Sequence, residues 1–224
     1  MGGASPSSLS AATQTPVLLG DEYQKGCDGC SLPTIRDFEL EAVIGMGGFG
    51  KVWRARHRTS GERYAIKIQN VSKIRHQPQK LAQARAEREI LKAMGSPFIV
   101  KLHWALENHN SVFLVLDLIP NGTLFQLQSK QPNMIFTEHQ TAFYIMETFL
   151  GLAHLHKNHV CYRDLKPENL LIDQQGHVVL TDFGLSALIS DDDRRRSVLG
   201  TPEYMAPVRI PYPCHVLHVL SARD

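Results

Sequence analysis

Three carboxylates, two lysines and one amide are spaced in this sequence as phosphoryl transfer would need them. Asp164, Lys166 and Asn169 fall within Tyr162-Arg163-Asp164-Leu165-Lys166-Pro167-Glu168-Asn169. Asp182 follows in Asp182-Phe183-Gly184, thirteen residues beyond Asn169. Moving a phosphoryl group calls for a carboxylate to orient the accepting hydroxyl, a cation for the γ-phosphate and oxygen ligands for magnesium. Asp164 and Lys166 fit the first two needs, and Asn169 and Asp182 fit the third. A lone Asp-Phe-Gly is common by chance, but one that follows such a loop after a short hairpin is not.

Two upstream segments extend the pattern. Gly45-Met46-Gly47-Gly48-Phe49-Gly50-Lys51-Val52 fits G-x-G-x-x-G-x-V, in which glycines let backbone N–H groups approach phosphates. Dinucleotide-binding folds share the glycine spacing, but their loop opens a helix. Here Val52–Ala55 reads as a strand. Tyr64-Ala65-Ile66-Lys67 comes next and matches the V-A-I-K element, whose Lys holds α- and β-phosphates. Lys67 needs a carboxylate partner on the helix that follows. Glu87 is preferred over Glu89, which lies about 200° further round that helix.

The elements that must position these residues are legible as periodicity. Strands are expected at Phe38–Ile44, Lys51–His57, Arg63–Val71, Leu102–Leu106 and Val112–Leu118. A helix is expected over Gln79–Met94, where Leu81, Ala84 and Leu91 share a face. Pro120-Asn121-Gly122 marks a turn. Thr137–Lys157 is the longest expected helix, with Phe143, Met146, Leu150 and Ala153 as its apolar side. Short strands follow around Leu170–Ile172 and Val178–Leu180. Five strands with one inserted helix, then helices, predict an α+β fold in two lobes.

The motifs together resemble the protein kinases, and within them the AGC group. Tyr-Arg-Asp in the catalytic loop, Asp182-Phe-Gly-Leu-Ser, Ser96-Pro-Phe-Ile-Val and Gly200-Thr-Pro-Glu-Tyr-Met-Ala-Pro207 carry the resemblance. The nearest likeness is to relatives of the ribosomal-protein-S-six kinases. It covers about Phe38 to Pro207. It implies a bilobal kinase-like fold and transfer of the γ-phosphoryl of Mg-ATP to protein Ser or Thr hydroxyls. Asp164, Lys166, Lys67 and Glu87 would be catalytic, and Asn169 and Asp182 would bind the metal.

The nucleotide would lie against Gly45, Met46, Gly47, Gly48, Phe49, Gly50, Lys51, Val52, Ala65, Lys67, Asp117, Ile119 and Leu171. Leu116 would be the gatekeeper, and Asp117–Ile119 the hinge that bonds adenine through backbone groups. Leu91, Leu102, Tyr162 and Phe183 would stack between the lobes. Ser197, after the charge run Asp191–Arg196, would accept phosphate from an upstream kinase and pair with Arg163. Acidic residues that select basic substrates are expected near Glu168 and Thr123, though Thr123 is not acidic.

The ends depart from this pattern. Residues 1–33, rich in Ser, Pro and Gly, are expected to be a disordered leader. Ala206-Pro207-Val208 stands where the family has Ala-Pro-Glu, and Val208 to Asp224 resemble no kinase. The expectation is an incomplete kinase domain over 38–207, with its small lobe complete and its large lobe truncated, and then a non-kinase tail over 208–224. The alternative function is therefore a catalytically incompetent form that at most binds ATP or serves as an interaction module. A small-molecule kinase is disfavoured by the Gly200–Pro207 segment, which resembles a peptide-substrate platform.

Composition restricts the rest. A formal charge of +2 gives no reason to expect nucleic acid. No run approaches the roughly 18 apolar residues of a membrane span. Cys27-x-x-Cys30 has no second pair at zinc spacing, and Cys161 and Cys214 stand apart. Met1-Gly2 resembles a myristoylation start, but Pro6 occupies the position that wants Ser or Thr. The expected location is intracellular, the cytoplasm first and the nucleus as an alternative.

Overall fold

Residues Tyr64 to Gln69 alternate between two buried faces, and that alternation organises the small lobe. Tyr64 and Ile66 join Phe38, Ala55, Phe113 and Val115 in one apolar cluster. Ala65 joins Leu114 and Leu116 in a second cluster on the opposite face, where Lys67 and Gln69 are also buried. A period of two with both faces covered marks a central strand.

A computed structural model describes residues 32–47, 50–188, 201 and 204. The strands β1 (Phe38–Gly47), β2 (Gly50–His57), β3 (Arg63–Asn70), β4 (Leu102–Glu107) and β5 (Ser111–Asp117) form one antiparallel sheet in the order β1-β2-β3-β5-β4. The register pairs Val52 with Lys67 and Gly50 with Gln69. The expected third strand ended at Val71. In the structure it stops at Asn70, whose side chain caps the short helix α1 (Val71–Ile74) by accepting the N–H of Lys73.

Helix α2 (Pro78–Ala93) begins with Pro78 in its first turn, where the missing N–H is not needed. It buries Ala84, Glu87, Ile90 and Leu91 against the sheet. Below it lie α3 (Leu124–Gln128) and α4 (Glu138–Lys157). Thr137 and Gln140 cap α4 reciprocally, the side chain of each accepting the backbone N–H of the other. The strands β6 (Val160–Cys161), β7 (Leu170–Ile172), β8 (Val178–Leu180) and β9 (Ala187–Leu188) make two small antiparallel ladders, β7 with β8 and β6 with β9.

One apolar core joins the two lobes. Ile90 and Leu91 of α2 and Leu114 and Leu116 of β5 belong to the same cluster as Leu155, Tyr162, Leu170, Leu180 and Phe183. Two backbone bonds fasten the segment after α2 to β8: Val100 N–H donates to the Leu180 carbonyl, and Leu180 N–H to the Phe98 carbonyl. The fold is α+β and bilobal.

The buried side of α4 is not the expected one. Phe143, Met146 and Leu150 are exposed, with Met146 at 60 %, and so is Ala153. The helix instead buries Glu147, Thr148, Gly151, Leu152 and Leu155. Apolar residues occur all round this helix, so periodicity finds a stripe without saying which stripe meets β8. Gly151 decides it. A Cβ there would lie 2.5 Å from Leu180 Cδ1, so the glycine allows helix and strand to approach closely.

Candidate active site

The two small ladders explain how residues thirteen apart in sequence come together. Leu170 pairs with Leu180 across the β7–β8 hairpin. The flanking positions therefore adjoin, and Thr181 N–H donates to the Asn169 carbonyl at 3.0 Å. Asp182 follows directly. The β6–β9 ladder closes the other side, so the 162–169 loop and the Asp182-Phe183-Gly184 turn face each other. Arg163 and Asp182 have φ of +66° and +54°. Non-glycine residues in that region cost about 1–3 kcal/mol each, and such strain gathers at sites whose geometry is imposed by the surrounding fold.

Asp164 is 7 % exposed. Its Oδ1 accepts from Thr201 Oγ1 at 2.8 Å, and its Oδ2 accepts from Asn169 Nδ2 at 2.8 Å. Lys166 Nζ lies 3.0 Å from Asp164 Oδ2 and donates to Thr201 Oγ1 at 3.0 Å. Asn169 Nδ2 also donates to the Asp164 carbonyl. The carboxylate is therefore held from three sides, with Lys166 beside it.

The second centre is Lys67. Its Nζ donates to Glu87 Oε1 at 2.6 Å and to Asp182 Oδ1 at 2.8 Å. Lys67 and Glu87 are buried, while the Asp182 side chain is 44 % exposed. Burial acts to lower the Lys67 pKa, but the Glu87 and Asp182 carboxylates outweigh it, and Lys67 lies above its ordinary value. Burial raises Glu87, and Lys67 offsets this only in part. For Asp182 burial also acts upward, but Lys67 outweighs it and holds the carboxyl below its ordinary value. Lys67 thus stays cationic and Asp182 anionic at neutral pH.

Of the two glutamates weighed for Lys67, Glu87 is the partner. Glu89 points outward, half exposed, and pairs with Arg88. Gln69 was not among the expected site residues, yet its Nε2 donates to Glu87 Oε2 at 2.7 Å. Thr201 was also missed as a partner of Asp164. A period of two from Lys67 would have placed Gln69 on the same face. No sequence spacing points to Thr201, which lies 37 residues from Asp164.

The remaining expected residues are placed as follows. Gly45, Met46, Gly47, Gly50, Lys51 and Val52 lie on the β1–β2 hairpin. A Cβ on Gly50, at φ +150°, would come within 1.8 Å of the Ile68 carbonyl oxygen, so only glycine fits there. Ala65 pairs with Leu116 across β3 and β5. Asp117 ends β5, its N–H donates to the Lys101 carbonyl, and its side chain meets His103 Nε2 at 2.5 Å. Ile119 and Leu171 pack, partly buried, on the core that also holds Leu91, Leu102, Tyr162 and Phe183. The Tyr162 and Phe183 rings meet edge to face with centroids 5.3 Å apart.

Glu168 is exposed, and Thr123 caps α3 through a reciprocal pair with Gln126. Arg163 Nε donates to the Leu185 carbonyl. Gly48, Phe49, Ser197, residues 1–31 of the leader and the 208–224 tail lie outside the described residues.

The donor set suits a hard cation shared with phosphates. Asp182 and Asn169 offer one carboxylate and one amide, and magnesium commonly takes one or two carboxylates and completes its shell with phosphate oxygens and water. Among the described residues no group of three or more His, Cys, Asp or Glu could hold a metal alone.

The protein kinase domain model matches residues 38–217. The chain belongs to the protein kinase family. This kinase-family chain is 41 % identical over 197 residues to a probable serine/threonine-protein kinase of Dictyostelium discoideum, covering 88 % of this chain and 42 % of that protein. It is 44 % identical over 174 residues to ribosomal protein S6 kinase alpha-1 of Homo sapiens, covering 76 % and 23 %. To a putative ribosomal protein S6 kinase alpha-1 of Caenorhabditis elegans it is 40 % identical over 201 residues, covering 88 % and 25 %. The chain thus spans 23 % to 42 % of the length of these relatives. Kinases of this family use ATP and magnesium. No described helix is long and apolar enough to cross a membrane.

Proposed function

We propose that this chain is a serine/threonine protein kinase that transfers the γ-phosphoryl group of Mg-ATP to protein hydroxyls. The observation that carries this reading is the arrangement of Asp164, Lys166 and Thr201 about one carboxylate, with Lys67, Glu87 and Asp182 joined beside it. ATP and magnesium supply the transferable phosphoryl group and the charge that neutralises it. Lys67, held by Glu87, would meet the α- and β-phosphates, and Asn169 and Asp182 would hold the magnesium that neutralises their charge.

Asp164 orients the accepting hydroxyl and takes its proton, and the Lys166 ammonium stands beside it to meet negative charge on the γ-phosphoryl. Adenine rests between Val52, Ala65 and Leu171, against backbone groups of Asp117 and Ile119. The names of the serine/threonine kinase relatives support Ser and Thr as acceptors. Phosphorylation of Ser197 by an upstream kinase and an intracellular location belong to the same reading.

The test is transfer of labelled γ-phosphate to a generic basic protein, followed by phosphoamino-acid analysis. Labelled phosphoserine or phosphothreonine is expected, and Asp164→Asn should reduce it at least a hundredfold, the scale of a lost general base. Equal labelling by wild type and variant would overturn the proposal.

A further inference from the structure

Gln69 follows Lys67 by two residues on β3 and is fully buried. Its Nε2 donates to Glu87 Oε2 at 2.7 Å, while Lys67 Nζ donates to Glu87 Oε1 at 2.6 Å. Each carboxylate oxygen of Glu87 thus has its own donor from the same face of the same strand. Charge fixes the orientation of the Gln69 amide, because the reverse would set its oxygen against a carboxylate oxygen. That orientation leaves Gln69 Oε1 as the one buried side-chain polar atom without a partner among the described residues. An orphaned acceptor in an apolar core is costly. A leucine of similar size would avoid the cost but would leave Glu87 with Lys67 as its only donor among the described residues.

We propose that Gln69 is a positioning residue: it fixes the Glu87 carboxylate so that Oε1 faces Lys67, and thereby holds the Lys67 ammonium where the nucleotide phosphates must meet it. With a single donor, the carboxylate could rotate about its last side-chain torsion, which has no sharp wells. With two donors on one strand its plane is set. Burial raises the Glu87 pKa, and a neutral amide donor favours the ionised form that Lys67 requires.

The inference rests on the kinase reading, and the test separates the two. In the full chain, Gln69→Leu, Glu87→Ala and the double variant are compared for kcat/KM with ATP and for the midpoint of thermal unfolding. Gln69→Leu should lower kcat/KM about tenfold, the scale of a lost hydrogen bond to a charged group. Its unfolding midpoint should change little, because the unpaired Gln69 Oε1 is removed while Glu87 Oε2 loses its donor. A purely structural role would lower both.

In the Glu87→Ala background, Gln69→Leu should leave kcat/KM unchanged, since Gln69 acts through Glu87. An unchanged kcat/KM for Gln69→Leu alone, or the same loss in both backgrounds, overturns the proposal. If the wild type transfers no phosphate, the kinase reading fails and the unfolding data decide. The Gln69–Glu87 bond predicts that Gln69→Leu raises the midpoint more in the Glu87→Ala background than in wild type. Equal shifts overturn it.

Discussion

Thr201 Oγ1 donates a hydrogen bond to Asp164 Oδ1 at 2.8 Å and accepts one from Lys166 Nζ at 3.0 Å. A hydroxyl from a distant segment thus completes the environment of the carboxylate that orients the substrate hydroxyl. Thr201→Val keeps the shape and removes the hydroxyl. It should lower kcat about tenfold or more and leave the affinity for Mg-ATP unchanged, whereas Thr201→Ser should restore most of the rate. A fall in nucleotide affinity equal to the fall in rate would show that Thr201 serves the site differently.

Lys67→Met should do more than stop phosphoryl transfer. Glu87 is 2 % exposed on its side chain, and removing one partner of a buried ion pair costs about 3–5 kcal/mol. That is a large share of the 5–15 kcal/mol or so that holds a domain together. Urea unfolding should therefore show a markedly lower midpoint for Lys67→Met than for Asp164→Asn. Equal midpoints would mean that Glu87 becomes protonated or finds another partner at little cost.

Gly151 sets how closely α4 meets β8. An added Cβ would also lie 3.3 Å from Phe98 Cβ and from the Phe98 carbonyl oxygen, and Leu180 is fully buried and cannot swing away. Overpacking of this kind costs about 1–3 kcal/mol, whereas replacing glycine with alanine in a helix gains at most about 1. Gly151→Ala should therefore lose on the order of 1 kcal/mol net, lowering Tm by roughly 2–4 °C. A rise in Tm would mean that the helix shifts freely outward.

His177 links the β7–β8 turn to α4. Its Nδ1 lies 2.5 Å from Glu147 Oε1, while Glu147 Oε2 accepts the Val178 N–H. The bond to Glu147 raises the His177 pKa above 6.5, with Asp173 adding to the effect. A raised folded-state value means that the stabilisation is complete below pH 6.5 and is lost as pH rises through the folded value. The Tm of wild type should fall more between pH 6 and pH 8 than that of His177→Gln. Parallel profiles would contradict the link.

Much of the site could be read from local sequence because its parts are short and self-positioning. Asp164, Lys166 and Asn169 share one loop, and Lys67 is two residues from Gln69 on a strand whose alternation is visible. The choice of Glu87 over Glu89 needed only helical geometry. Thr201 could not be placed, because the residues that carry it to Asp164 have no periodic signal.

The buried side of α4 was misread for another reason. Phe143, Met146 and Leu150 are as apolar as Leu152 and Leu155, and only the fit of Gly151 against Leu180 selects between them. Gln69 reads as an ordinary polar strand residue until the Glu87 carboxylate is known to have a second oxygen to satisfy.

The most direct measurement is thermal unfolding of the chain with and without Mg-ATP. Ligand at 100 times its Kd stabilises the native state by about 2.7 kcal/mol. The account predicts one cooperative transition that Mg-ATP moves upward. ATP with a chelator should move it much less, because Asn169 and Asp182 then have no cation to share with the phosphates. No shift with Mg-ATP, or an equal shift without magnesium, would contradict it.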